Sequence, residues 1–213
     1  MGLVRVASSP NSVLTTEEAI THLRENDDDC TPRDEIDALV AAAVDQAEQF
    51  LQRPLLTSTY RYTSDCFPGG AYRRWYGGYR GYDGVERDDI YLRLPIGGVQ
   101  IVTEVGYTDT DGAPQILDPA AFQVDLTEPI ARIAPAYNSF WPAARREFGS
   151  VHVDFKAGFG DTAATIPKSL VSAVKLILGH LYANREAVVV GSTAIVLPLG
   201  AEHMLWSYRV FPL

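Results

Sequence analysis

The chain has 213 residues, 46% of them hydrophobic and 21% charged, which suits a globular protein with one large domain or a core bearing one insertion. Lysine and arginine number 18 against 27 aspartates and glutamates, leaving a net charge of −9 and a pI near 4.9. So acidic a surface repels phosphate backbones and excludes a general duplex-gripping protein, and no window has the length and apolarity of a membrane span.

The opening MGLVRVASSPNSVLT has no apolar stretch of signal-peptide length, so the expected location is the cytoplasm or the inside of an assembled particle. Thr15 followed by Glu18 is a capping-box pattern, and Ile20 and Leu23 give an apolar edge, which predicts a short helix over 16–25. The acidic run 26–29 ends it as a solvated loop. Thr31 is placed to cap the next helix, with Pro32 at its first position. Ile36, Leu39, Val40, Ala43, Val44, Ala47, Phe50 and Leu51 then recur at three- and four-residue steps, and Pro54 stops the pattern. A helix of about 20 residues spans roughly 30 Å, one wall of a helical core.

From Thr57 the period changes to two. TSTYRYTSDCF, DIYLRLPI, VQIVTEVGYT, AFQVDL, ARIAP and SVHVDFKAG are short runs rich in Val, Ile, Tyr and Phe, each predicted as a strand. TDTDGAP (108–114) is a hairpin turn between two of them; its Asp109, Asp111 and Gly112 faintly match a calcium loop, but the other ligands are missing and Pro114 interrupts it. Pro167 opens a third helix with Leu170, Val171, Val174, Ile177, Leu178 and Leu181 on one side. A Val run stopped by Gly191 follows, then a helical turn around 201–206. Trp206, Tyr208, Val210 and Phe211 come last, where no core remains to bury them.

The fold class expected from this order is α+β. Amphipathic helices from both ends of the chain (1–56 and 162–213) form a helical core, and 57–161 is an inserted antiparallel β-rich subdomain.

Catalytic signals are absent from the sequence. There is no G-x-S-x-G elbow and no H-E-x-x-H, and His22, His152, His180 and His203 fall on different elements. His180 shares the last turns of the third helix with Asn184, Arg185 and Glu186; the latter two suit an ion pair, a bond to the helix's free carbonyls or an intersubunit contact. Cys30 and Cys66 have no CxxC partner and read as free thiols of a reducing compartment, a single disulfide being the other reading. No cofactor or metal is expected.

The oddest segment is GGAYRRWYGGYRGYDGVERDD (69–89), where Arg73, Arg74 and Arg80 alternate with Tyr72, Trp75, Tyr76, Tyr79 and Tyr82. Aromatics stack on bases and arginines neutralise phosphates, so it suits single-stranded nucleic acid. The same side chains dominate protein interfaces, and a hairpin tip packed on its own sheet is the third reading. The acidic chain around it, and the lack of a following Gly-Lys-Ser/Thr, favour the protein partner.

Five blocks, in order, resemble the head–tail connector (head-completion adaptor) family of tailed bacteriophages. They are TTEEAITHLRENDDD, DEIDALVAAAVDQAEQFLQRPLLTSTYRYTSDCFP, IYLRLPIGGVQIVTEVGYTDTDGAPQILDPAAFQVD, FKAGFGD with IPKSLVSAVKLILGHLYANREAVVVG, and LPLGAEHMLWSYR. The stretch 69–87 is longer and more aromatic than that family's pattern. The resemblance implies a non-enzymatic virion protein of the neck, assembled in the host cytoplasm. It implies a ring of twelve copies between the portal protein and a stopper, neck or tail-terminator protein, with packaged double-stranded DNA passing through without sequence-specific binding. The partner-contact residues expected on this footing are Arg73, Arg74, Trp75, Tyr76, Tyr79, Arg80, Arg185, Glu186, Trp206, Tyr208, Arg209 and Phe211, the last four reaching the portal.

Overall fold

A capping box starts the first helix of the computed structural model, which describes residues 2–24, 32–68, 91–184 and 198–211. The Thr15 hydroxyl accepts from the Glu18 N–H and the Glu18 carboxylate accepts from the Thr15 N–H, opening α1 (Thr16–Leu23). The helix ends two residues earlier than the sequence predicts, because Arg24 turns left-handed at φ 58° and closes it. Helix α2 (Arg33–Leu51) begins one residue later than expected: Pro32 is its cap residue, its carbonyl accepting from Glu35 and Ile36 N–H. The predicted cap Thr31 and the acidic run 26–29 lie outside the described residues.

The described residues fall into two units: those of Ser9–Thr57 and Gly158–Phe211, and those of Met1–Ser8 and Ser58–Ala157. The first is helical, built from α1, α2, α3 (Lys168–Ala183) and α4 (Leu199–Trp206). Ile36, Val40, Ala43, Ala47 and Leu51 of α2 meet Leu170, Val174, Ile177 and Leu178 of α3 and Ala201 and Leu205 of α4 in one buried cluster. Leu39, Val44 and Phe50 flank that stripe and are only partly buried. Each helix has one apolar face, and each hides it on the others.

The second unit holds two antiparallel sheets. The larger has the order β1-β2-β8-β4-β5, from strands Gly2–Ala7, Ser58–Ser64, Val151–Ala157, Val99–Thr108 and Pro114–Ile116. The smaller runs β3-β7-β6, from Leu92–Gly97, Ile130–Pro135 and Phe122–Asp125. Strict alternation gives β2 and β8 one buried face, with Tyr60 and Phe155 as a direct cross-strand pair stacked at 5.7 Å. Tyr60, Phe155, Val105 and Val153 share a cluster with Leu94 and Ile133 of the smaller sheet. β3 and β4 are consecutive but serve different sheets, and the chain turns between them at Gly98, φ 73°.

The six strands predicted from the sequence are all present; β1 and β5 were not foreseen. β1 precedes both leading helices in sequence yet forms an edge of the larger sheet, with every residue exposed. The turn after β4 is organised by Asp109, whose Oδ1 accepts from Asp111 and Ala113 N–H, so its carboxylate serves the hairpin.

The FKAGFGD motif has a local cause. Gly158 adopts φ +145°, and a Cβ there would lie 2.7 Å from the Leu56 carbonyl carbon and the Thr57 nitrogen. Without one, the chain runs alongside 55–57, with Phe159 N–H bonded to Leu55 O at 3.2 Å and Thr57 N–H to Gly160 O at 2.9 Å.

Candidate functional site

A set of partly exposed aromatic and cationic side chains in the helical unit lies where α4 ends. Pro198 caps the helix and its carbonyl accepts from Glu202 N–H. After Trp206 the backbone closes two turns, Tyr208 N–H to Leu205 O and Arg209 N–H to Trp206 O. Val210 N–H then bonds Leu51 O at 2.9 Å, satisfying one of the carbonyls that α2 leaves free at its C-terminus.

That tie corrects the expectation for the tail. Val210 is 6% exposed and part of the core. Tyr208 is half-buried and packs edge-on against Phe159 at 6.3 Å, and Phe159 in turn carries the Arg53 guanidinium 3.7 Å above its ring. Burial pushes the Arg53 pKa down from its ordinary value. Tyr208 is thus largely a packing residue, because the turn at 205–209 aims it back at the helices.

Trp206 and Phe211 stay outside, 53% and 57% exposed. Arg209 lies between them and Phe50: its guanidinium carbon is 4.7 Å from the Phe50 ring centroid, 5.0 Å from Phe211 and 5.5 Å from Trp206. Phe50–Trp206 and Trp206–Phe211 centroids are each 6.1 Å apart. Among the described residues the Arg209 Nε is buried without a hydrogen-bond partner. The cation lies against three rings, whose π faces attract it. Leu199 and Met204 of α4 and Leu176 of α3 are also exposed, and Leu176 approaches Gly200.

Of the sequence-predicted contact residues, the fold brings together Trp206, Arg209 and Phe211 and turns Tyr208 inward. Arg73, Arg74, Trp75, Tyr76, Tyr79 and Arg80 lie outside the described residues, as do Arg185 and Glu186. At the end of α3, Asn184 Nδ2 donates to the His180 carbonyl at 2.9 Å. On the open face of the larger sheet, His152 Nε2 lies 3.2 Å from Glu104 Oε1 and Arg61 forks onto Asp154 at 2.7 and 2.6 Å. These are cross-strand pairs on neighbouring strands of the sheet. Cys66 is exposed; Cys30 lies outside the described residues.

One exposed set was missed. Tyr137, Phe140 and Phe148 are 98%, 90% and 95% exposed on the loop between β7 and β8. The available signal was Phe and Tyr interleaved with Asn, Ser, Pro and Arg in YNSFWPAARREFGS, a run with neither a two- nor a 3.6-residue period to assign them a core.

No family model matches the sequence, and no curated protein matches it. Solved structures do. A chain in the neck of an empty gene transfer agent (GTA) particle computed with C6 symmetry matches at TM-score 0.73 and 22% identity, over 100% of this chain and 97% of that one. A chain in the virion of a native GTA particle matches at TM-score 0.73 and 23% identity, with the same coverage. A third, in the neck of a native GTA particle computed with C12 symmetry, matches at TM-score 0.64 and 19% identity, again over 100% and 97%. The whole chain therefore shares the fold of chains found in those particles.

Proposed function

We propose that this protein is a structural component of the neck of a phage-derived particle, a head–tail adaptor without enzymatic activity. The observation that carries the reading is the full-length likeness in fold to chains of gene transfer agent necks. In this reading the long amphipathic helices form the body of a ring, twelve copies in number, and the β-rich part is an insertion between them. The ring extends the channel of the portal protein and gives the stopper or tail-terminator protein a docking surface. An acidic chain of net charge −9 suits a channel wall, because duplex DNA slides past like charge without sticking.

Trp206, Arg209 and Phe211 are the side chains assigned to portal contact. Aromatics and arginine dominate interface energies, and here they lie against one another. The segment 69–87 and Arg185–Glu186 keep their assignment as further partner contacts on sequence grounds.

Electron microscopy of this protein mixed with the portal protein of the same genome tests the reading. The expected result is an added ring of density on the portal for the wild type. A W206S/F211S variant should melt within a few degrees of wild type and lose the ring. No association of the wild-type chain with that portal overturns the adaptor reading; a ring retained by the variant overturns the assignment of the patch.

A further inference from the structure

The loop 136–150 does two opposed things at once. It packs the half-buried Trp141 against Phe67 in a near-parallel stack, centroids 4.7 Å apart, and Phe67 meets Tyr107 edge-on at 5.7 Å. Ala144 bridges to Asp109, Arg145 N–H bonds Thr108 O at 2.9 Å, and Gly149 N–H bonds the Asp65 carboxylate at 3.0 Å. A turn from Ser139 N–H to Ala136 O, beside Asn138 at φ 58°, fixes its first part. Yet this braced loop holds Tyr137, Phe140 and Phe148 almost wholly in solvent. Large exposed aromatics on a rigid support lose little entropy on docking, which marks an interaction surface.

The same unit carries a second open surface at an edge of the larger sheet. β1 is one edge of the order β1-β2-β8-β4-β5, while the loop lies across an end of that sheet, tied at Thr108 and Asp109 to the turn joining β4 and β5 and at Asp65 to the end of β2. Leu3, Val4 and Val6 of β1 are 37%, 61% and 60% exposed, on an edge strand that also carries Arg5 and a register shift between Arg5 and Ala7. Such an apolar edge invites association. Three aromatics cover about 450–750 Å², most of the roughly 800 Å² that each partner contributes to a stable interface. Two different apolar surfaces on one chain are what a heterologous, ring-closing contact needs.

We propose that the loop 136–150 of one copy seats Tyr137, Phe140 and Phe148 on the exposed residues of β1 of the next copy, and that repetition of this contact builds the ring. The occupant is a second copy of this chain, and the inference deepens the ring reading above by naming its contact.

The test uses the full chain, with oligomeric state followed by analytical ultracentrifugation against concentration. Wild type should self-associate, and both the loop variant Y137S/F140S/F148S and the strand variant V4K/V6K should weaken association about 100-fold or more with unchanged circular dichroism. Mixed together, the two variants retain one intact contact, the loop of the strand variant on the β1 of the loop variant, and should form heterodimers and nothing larger. A wild-type chain that stays monomeric at millimolar concentration overturns the proposal, as does wild-type-like association of either variant, or a mixture that stays monomeric. Heterodimers without any ring on the portal leave this contact standing and remove the adaptor reading. Rings on the portal formed equally by both variants do the reverse.

Discussion

The Asp154 carboxylate accepts two guanidinium N–H groups from Arg61 across the β2–β8 pair, and this hydrogen bonding holds its pKa below the usual value. Asp125 is pushed down to about 2, first by the Thr127 hydroxyl, then by the Thr127 N–H and by Arg132. A depressed carboxylate stabilises the fold above its unfolded pKa, and that contribution is lost as pH falls through the folded one. Thermal melts should therefore drop as pH is lowered from about 4 towards 2. The variant R61M, which frees Asp154 to titrate normally, should show a shallower drop with a loss near neutrality of about 1 kcal/mol or less, since Arg61 is half-exposed. An R61M acid profile parallel to wild type would remove Asp154 as a contributor. The sequence displays both charges, but only the register Arg61↔Asp154 makes them partners.

At the scale of elements, local signals were strong where they had a chemical cause within a few residues. The capping box fixed the start of α1, and the change of period at Thr57 marked where helices give way to strands. β1 escaped because GLVRVA alternates too little to stand out, and its strand state comes from pairing with β2, a partner beginning about 50 residues on. The glycine of FKAGFGD was visible as a motif but without a reason; the reason is the approach of Leu56 and Thr57. We expect Gly158→Ala to cost about 2–4 kcal/mol, from both the left-handed φ and the backbone clash. Chemical denaturation measures it directly. A loss under about 0.5 kcal/mol, the scale of an ordinary surface substitution, would mean the turn relaxes freely.

At the scale of the whole molecule, the described residues form two buried clusters, one among helices and one between sheets, and they draw on different parts of the chain. Its net charge of −9 makes one expectation independent of any fold detail. Duplex DNA should not be retarded by this protein in a low-salt gel, since counterion release requires cationic contacts in number. Single-stranded DNA retarded at low salt, and released when Arg73, Arg74 and Arg80 are replaced, would assign the segment 69–87 to nucleic acid instead of a protein partner.

Composition, charge and hydrophobic period are properties of neighbours along the chain, so the sequence alone determined the mixture of helix and strand, most element positions, the acidic surface and the aromatic end of the chain. Which exposed-looking residue is exposed depends on what folds over it from elsewhere. Val210 and Tyr208 read like Trp206 and Phe211 in sequence, and the bond to Leu51 and the ring of Phe159 set the buried Val210 and half-buried Tyr208 apart from the open pair. Tyr137, Phe140 and Phe148 surround a tryptophan that is packed, and the Phe67 stack turns Trp141 inward while they stay out. The candidate contact surfaces are therefore tertiary products: sequence supplies the side chains, and long-range pairing decides which of them face a partner.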